Sequence, residues 1–371
     1  MGAVAAPPPL AGAPDSPEQA LAAGRWVKLI CGAGNQDLAS IEDLCAIYAL
    51  AGVHCIDVAA DRAVVAAARR GLAWAAEQEQ PPAEGRPEAP RPWLMVSLSD
   101  GEDPHFRKAR FDPALCPPDC PRPCQRVCPA LAISADGGVI PERCYGCGRC
   151  LPACPLGLIG EVHQILAAEA VAPLLAELRP DAVELHTQPG RLEPFARRLE
   201  QVRASGVPLR RLAVSCGLER GAAGPEAAQP RAALTSRQLA AELWQRFALV
   251  RAAGLRPLWQ LDGRPMSGDV GAGTARAAVA LLAELQAWAP PGPLQLAGGT
   301  NGRSLALLPP GDRAAGVAFG SVARRQLQPL LQQAEAAGRP LRELPELRRQ
   351  ALELARALVE PWRQRGRDAA G

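Results

Sequence analysis

Residues 116–154 read CPPDCPRPCQRVCPALAISADGGVIPERCYGCGRCLPAC, and they hold eight of the chain's twelve cysteines. In the second half of this stretch, the spacing Cys144-x2-Cys147-x2-Cys150-x3-Cys154-Pro is the one with which bacterial ferredoxins hold an iron–sulfur cluster. In ferredoxins with two clusters, the fourth cysteine of such a run ligates the partner cluster. The stretch therefore predicts a ferredoxin-like module for two clusters.

The first half of the stretch supplies the other four cysteines at wider spacing. Cys116, Cys120, Cys124 and Cys128 are separated by three residues each, where ferredoxins have two. Prolines among them prevent the four from lying on one helical face. The ferredoxin arrangement groups Cys128 with Cys144, Cys147 and Cys150, and groups Cys116, Cys120 and Cys124 with Cys154. We expect two 4Fe–4S clusters, and the wide gaps leave open whether the second group holds a 3Fe–4S cluster instead.

Three other uses of cysteine compete with this interpretation. A disulfide framework needs an oxidising compartment and is typical of small secreted domains. Zinc sites usually pair two short Cys-x2-Cys knuckles, whereas the second run packs four sulfurs into eleven residues. Buried structural thiols do not account for so dense a cluster. Iron–sulfur ligation is therefore favoured.

Composition excludes several classes of function. A formal net charge of +3 gives no electrostatic footprint for nucleic acid, and an aromatic content of 4% does not favour a base-stacking platform. The sequence contains no uninterrupted apolar run long enough for a transmembrane helix. The first residues lack the basic start and apolar core of a signal peptide, so we expect a cytoplasmic location.

Outside the cysteine stretch, short apolar runs alternate with segments of helical periodicity. The runs are continuous, as in strands that are covered on both faces. Eight such units predict an α/β fold, a TIM-like (β/α)8 barrel with the module inserted after the third strand, and an open doubly wound parallel sheet is the alternative. The predicted strands are 27–31, 55–59, 93–98, 182–186, 212–216, 257–261, 293–297 and 316–320. The predicted divisions are a disordered tail 1–23, the first part of the α/β domain 24–110, the iron–sulfur insertion 111–160, the remainder of the α/β domain 161–335, and a helical extension 336–371.

Ligands of both folds bind at the carboxyl ends of the strands. Glycine-rich turns follow the last two predicted strands, and they predict an anion site whose alternative is a plain structural turn. Among polar residues near strand ends, Asp57, Asp262 and His186 are candidates for acid–base roles, with a packed polar group as the alternative for His186. His105, eleven residues before Cys116, either contacts a cluster or is an ordinary loop histidine. The residues of the predicted anion site are Gly298, Gly299, Thr300, Asn301, Gly320 and Ser321. The four cysteines outside the module, Cys31, Cys45, Cys55 and Cys216, are expected to pack in the core.

Five segments together carry a resemblance to a known family. They are WVKLICGAGNQDLASIEDLCAIYALAGVHCIDVAAD (26–61), SLSDGEDPHFRKARFDPALCPPDCPRPCQRVCPA (97–130), CYGCGRCLPACPLGLI (144–159), DGRPMSGDVGAGT (262–274) and LQLAGGTNG (294–302). The sequence resembles the light-dependent period (LdpA) family of cyanobacterial iron–sulfur proteins on the input side of the circadian clock. The resemblance implies metal binding by all eight module cysteines, and it implies the clock input kinase and KaiA as partners.

The resemblance and the motifs together favour a redox sensor that adjusts clock period, rather than an enzyme. Two alternatives remain. One is an iron–sulfur oxidoreductase whose barrel binds a flavin or a phosphate-bearing ligand, although the sequence has no GxGxxG fingerprint. The other is a simple electron carrier that uses the barrel as a scaffold.

Overall fold

Eight parallel strands form a closed barrel in the computed structural model, which describes residues 15–78, 90–134, 138–218, 234–264 and 271–366. The strands in this part of the chain are β1 (Trp26–Gly32), β2 (Cys55–Ala59), β3 (Trp93–Ser99), β4 (Arg107–Arg110), β5 (Gly160–His163), β6 (Ala182–His186), β7 (Arg211–Cys216), β8 (Pro257–Asp262), β9 (Leu294–Ala297) and β10 (Ala314–Phe319). Around the barrel the order is β1-β2-β3-β6-β7-β8-β9-β10, and β10 pairs with β1 from Trp26↔Gly316 to Leu29↔Phe319. The barrel prediction is therefore confirmed, and the open sheet is excluded because the first and last strands hydrogen-bond.

Most of the helices cover the outside of the barrel, and three short ones lie at its end or in the cysteine module. The helices are α1 (Pro17–Ala22), α2 (Leu38–Leu50), α3 (Arg62–Gln78), α4 (Pro123–Val127), α5 (Cys150–Ala153), α6 (Ala168–Leu178), α7 (Leu192–Ala204), α8 (Ser236–Ala252), α9 (Ala275–Leu285), α10 (Ser321–Ala336) and α11 (Pro345–Gln364). Between β9 and β10 the connection is a single 3-10 turn, Leu305–Leu307, in agreement with the short segment expected there. No helix in the described ranges is long and apolar enough to cross a membrane.

Alternate residues of the strands belong to two different cores. Val27 and Leu29 of β1 pack with helix residues such as Leu44 in the layer between strands and helices. Trp26 and Trp93, in contrast, belong to a cluster inside the barrel. This division follows from the strand period of two, which sends neighbouring side chains to opposite faces.

The prediction of a disordered tail is wrong for its last residues, because α1 plugs the amino-terminal end of the barrel. Ser16 begins this helix with a capping box, in which Ser16 and Gln19 bind each other's backbone N–H groups. Ala20 and Leu21 are buried against the inner cluster. Glu18 forms ion pairs with Arg211 and a second arginine, which fixes the helix to the barrel. Residues 1–14 lie outside the described residues.

The cysteine module is inserted between β3 and β6 on a two-stranded antiparallel stem. Strands β4 and β5 pair from Arg107↔His163 to Arg110↔Gly160. Sequence analysis did not predict these strands, because RKAR and GEVH contain no apolar run. The module rests on the loop after β1, where the Gln36 N–H donates to Glu142 O at 2.9 Å. The insertion thus lies at the carboxyl ends of the barrel strands.

The last helix, α11, packs against α2, α10 and β1. Its Trp362 is 1% exposed, so the helix is part of the barrel's outer layer. Asp43 of α2 accepts the backbone N–H groups of Leu341 at 2.8 Å and Arg342 at 3.2 Å, just before α11 begins.

Candidate iron–sulfur centre and barrel mouth

Four cysteines surround one cavity in the module. The cavity is lined by Cys128, Cys144, Cys147 and Cys150. Cys150 begins α5, and the other three lie on loops that converge on its first turn. The structure thus brings together the group of four that the ferredoxin arrangement predicts.

A second cavity in the module is lined by the other four cysteines. Its cysteines are Cys116, Cys120, Cys124 and Cys154. Cys124 of this group and Cys150 of the first pack together in a small apolar cluster with Ile133 and Ile159. Each run therefore contributes its last cysteine to the cavity of the other run.

Backbone N–H groups point at the cysteine sulfurs. The Ala109 N–H donates to Cys144 Sγ at 3.3 Å, and the Ala132 N–H donates to Cys128 Sγ at 3.2 Å. Burial acts to raise the pKa of Cys154, but N–H groups of the following loop outweigh it and lower that pKa. Hydrogen bonds of this kind stabilise thiolate ligands and tune cluster potentials.

The thiols of the first cavity fit a cationic metal cluster. Burial, together with the charges of Cys147, Cys128 and Cys144, raises the pKa of Cys150 to about 12. Since thiolates are the metal-binding form, four sulfurs this close need positive charge between them, as iron provides. All twelve cysteines are free thiols, so no disulfide competes for them. When bound, iron–sulfur clusters supply one-electron redox chemistry.

The loop that carries Cys144 and Cys147 packs tightly against the stem. Gly146 O accepts a hydrogen bond from Arg107 Nε at 2.8 Å. Gly146 has a φ of +76°, and a Cβ on it would lie 2.3 Å from Arg107 O and 2.9 Å from Pro104 O. Only glycine allows this close approach of the two backbone segments.

Tyr145 joins this loop to the barrel. Its buried ring lies under the guanidinium of Arg324, with 4.0 Å between Arg324 Cζ and the ring centroid. Arg324 belongs to α10 and also donates from one Nη to Ile30 O at 2.9 Å. A cation–π contact therefore connects the first cysteine cavity to the carboxyl end of β1.

A cavity opens at the barrel mouth beneath the module. Gly298, Gly299, Thr300, Gly320 and Ser321 of the predicted anion site all line it. Asn301 is used differently, because its amide donates to Gly271 O and to the Thr274 hydroxyl, both at 3.1 Å.

The glycine turns at this mouth have a packing reason of their own. A Cβ on Gly298 (φ +69°) would lie 2.7 Å from Arg264 O, and one on Gly299 (φ +89°) would lie 2.8 Å from Thr274 O. Close approach of neighbouring backbone segments thus explains these two glycines without a ligand. A role in binding an anion stays a prediction.

A buried ionic network fills the barrel below this cavity. Lys28 Nζ contacts Glu184 and lies 3.2 Å from Asp57, and all three side chains are 2% exposed or less. Burial acts to lower the pKa of Lys28, but the two carboxylates outweigh it and raise that pKa. Burial raises the pKa of Asp57 to about 6, although Lys28 and a 2.7 Å hydrogen bond from Ser97 oppose this.

Two histidines meet above the network. His105 and His186 have ring centroids 4.6 Å apart, and Asp103 Oδ1 lies 2.7 Å from His105 Nδ1. On the other side of its ring, His186 Nε2 lies 2.9 Å from Glu184 Oε1, without the alignment of a hydrogen bond. Burial acts to lower the pKa of His186, but Glu184 outweighs it and raises that pKa to about 9. Asp262, also at the mouth, accepts a hydrogen bond from Ser215.

The structure shows which of the residues singled out in the sequence lie at the barrel mouth and which pack in the core. Asp57, Asp262, His105 and His186 were predicted from the sequence. Lys28 and Glu184 were not, although a charge inside an otherwise apolar strand is a signal that the sequence offers. His105 lies at the barrel mouth and lines neither cysteine cavity. The core prediction for the other cysteines is confirmed, because Cys31, Cys45, Cys55 and Cys216 are all 1% exposed or less.

Fold and cysteine module together define an iron–sulfur protein built on a (β/α)8 barrel. Residues 116–165 match the LdpA Fe-S cluster-binding domain, and residues 174–361 match the light dependent period A C-terminal domain. The chain is 47% identical over 356 residues to light dependent period A of Synechococcus elongatus, covering 94% of each chain. The chain therefore belongs to the light-dependent period A (LdpA) family, and the predicted resemblance is confirmed.

Solved structures resemble the chain only distantly. A tryptophan synthase from Mycobacterium tuberculosis is 12% identical with a TM-score of 0.42, covering 92% of this chain and 95% of its own. The (S)-3-O-geranylgeranylglyceryl phosphate synthase from Thermoplasma acidophilum is 11% identical with a TM-score of 0.39, covering 94% and 98%. Likeness at this level carries no argument about function.

Proposed function

We propose that this protein senses cellular redox state through two iron–sulfur clusters and passes that state to the input of the circadian clock. The observation that carries the proposal is the convergence of eight cysteines on two adjacent cavities, four on each. Membership of the LdpA family supports the connection to the clock.

The ligand sets of the two clusters follow from the cavities. In the proposal, Cys128, Cys144, Cys147 and Cys150 hold a 4Fe–4S cluster. The remaining four cysteines, Cys116, Cys120, Cys124 and Cys154, hold a second cluster with four or three irons. Thiol ligands of this kind need a reducing environment before the clusters are inserted, which favours the cytoplasm.

Tyr145 and Arg324 give the module a physical route to the barrel. A change of charge at the sulfurs of Cys144 and Cys147 acts on the ring between them, and the ring stacks on the Arg324 guanidinium. Arg324 holds the end of β1 through Ile30 O, so the orientation of the module on the barrel responds to that charge. The clock input kinase and KaiA are the proposed partners that distinguish the resulting states.

The test compares partner binding by oxidised, reduced and cluster-free protein under anaerobic conditions. We expect the affinity for KaiA or the input kinase to change between states in the unaltered protein, and to change less in Arg324→Met. Arg348→Met is the matched control, because Arg348 of α11 also lies over an aromatic ring, that of Trp74, and neither residue lines a cysteine cavity. Equal affinity for these partners in all three states would refute the proposal.

An oxidoreductase is the second candidate, and the cavity at the barrel mouth favours it. The cavity is lined by the buried, ionisable side chain of His186 and by the partly buried carboxylate of Asp262. A flavin or phosphate-bearing ligand that is released on denaturing the purified protein would support this function. An electron carrier, in contrast, would exchange electrons rapidly with a donor while its affinity for clock partners stayed constant.

A further inference from the structure

Three potential metal ligands converge at the barrel mouth, away from the cysteine cavities. Asp103, His105 and His186 each offer one ligand atom, and these atoms all lie within 4.8 Å of one another. Asp103 Oδ1 is 2.7 Å from His105 Nδ1 and 3.9 Å from His186 Nδ1. We propose that these three side chains bind one divalent transition-metal ion, in a site separate from the iron–sulfur clusters.

The chemistry of the ligands selects the kind of ion. Two imidazoles and one carboxylate form the set that binds Fe(II) in non-haem sites and Zn(II) in many hydrolytic ones. His105 and His186 also line the cavity at the barrel mouth. An ion held by three protein ligands keeps further coordination positions for water or a small molecule, and these positions would face that cavity.

Glu184 supplies the outer contact that metal-binding histidines usually have. It lies 2.9 Å from His186 Nε2, on the side of the ring away from Asp103. The two atoms are not aligned as a hydrogen bond, but the negative charge of Glu184 favours a proton on Nε2, which would leave Nδ1 to bind the metal. His186 is 4% exposed and its Nε2 has no aligned hydrogen-bond partner, so the contact with Glu184 alone does not explain the orientation of the ring.

The backbone holds the ligands in place before any ion binds. His186 ends β6, a barrel strand. Asp103 begins the 3-10 turn Pro104–Phe106, and its Oδ1 accepts the N–H of His105 at 2.9 Å. Ion pairs of Asp103 with His105 and, at 3.9 Å, with a protonated His186 are the alternative to a metal ion, and a metal titration distinguishes the two. Metal binding would tie the stem of the module to the barrel wall.

The test uses the full chain with its iron–sulfur clusters in place, so that the cysteines are occupied, and titrates Co(II) as the probe. We expect one Co(II) per chain, with the weak d–d bands of nitrogen and oxygen ligands and without intense sulfur-to-cobalt charge transfer. His105→Gln and Asp103→Asn should weaken binding at least about tenfold. His163→Gln is the control, because His163 is a partly exposed histidine of the stem that lies outside the site.

Far-UV circular dichroism and cluster absorbance establish that each variant is folded. His105 has a side chain that is 25% exposed, so its replacement should leave the fold intact even if Asp103→Asn does not fold. Failure of Co(II) to bind, or charge-transfer bands alone, would overturn the proposal. Unchanged affinity in His105→Gln would overturn it as well, and neither result bears on redox sensing by the clusters.

Discussion

Replacing Gly146 by alanine tests how closely the cysteine loop must approach the stem. A Cβ at this position would lie 2.3 Å from Arg107 O and 2.9 Å from Pro104 O, and the backbone has a φ of +76°. Gly157 provides a matched control in the same module. It also has a left-handed φ, +63°, but a Cβ there would meet nothing within 4 Å.

The expected losses of stability follow from the left-handed backbone, which both glycines share, and from the overlap, which only Gly146 has. The left-handed conformation costs an alanine about 1–2 kcal/mol at either position. At Gly146 the overlap with two backbone oxygens adds an overpacking cost of about 1–3 kcal/mol. We therefore expect Gly146→Ala to destabilise the module by about 2–5 kcal/mol, and Gly157→Ala by about 1–2 kcal/mol.

Urea unfolding of anaerobically purified protein measures the difference, with cluster absorbance and far-UV circular dichroism as parallel signals. Gly146→Ala should lose cluster absorbance at a clearly lower urea concentration than Gly157→Ala. If the two variants behave alike, the loop does not approach the stem as described and the route through Tyr145 loses its basis.

Two further replacements test the barrel itself. Lys28→Met leaves Asp57 and Glu184 buried without their cation, so the free energy of unfolding should fall by about 3–5 kcal/mol, and an unchanged urea midpoint would refute the ionic network. Asp43→Ala removes the acceptor for the N–H groups of Leu341 and Arg342, and should lower the free energy of unfolding by about 1–3 kcal/mol. Glu353→Ala, which loses only an exposed pair with Arg349, is its control and should change the urea midpoint little, so an equal loss in both variants would contradict the docking role of Asp43.

The barrel was predictable because its strands are short apolar runs between helices. All eight predicted strands agree with the structure to within two residues at each end. The sequence left two folds open, a closed barrel and an open sheet. The pairing of β1 with β10 decides between them, and it joins residues at opposite ends of the chain. The stem strands β4 and β5 could not be found in this way, because charged residues such as Arg107 and Arg110 carry no apolar pattern.

The prediction of a disordered amino terminus was wrong for a reason that the sequence itself contains. An Ala- and Pro-rich composition suggested disorder, but Ser16-Pro17-Glu18-Gln19 is a capping box. Burial of Leu21 in the barrel stabilises a helix of six residues that would not form alone. Composition averages over a segment, whereas a cap and one buried face depend on single positions.

The candidate site, too, has parts that the sequence predicted and parts that it did not. Cysteine spacing predicted both groups of four, because in two-cluster ferredoxins the last cysteine of such a run ligates the partner cluster. Lys28 and Glu184 escaped notice because sequence does not tell which face of a strand points into the barrel. The contact between Tyr145 and Arg324 joins residues far apart along the chain, so only the structure could bring them together.

The central claim is that each group of four cysteines holds its own cluster. Iron and sulfide counts, combined with EPR of the reduced and oxidised protein, test it most directly when Cys147→Ala and Cys120→Ala are compared with the unaltered chain under anaerobic purification. The account predicts signals of two clusters in the unaltered protein, with Cys147→Ala and Cys120→Ala each perturbing a different one. A single cluster in the unaltered protein, or the same signal altered in both variants, would contradict it.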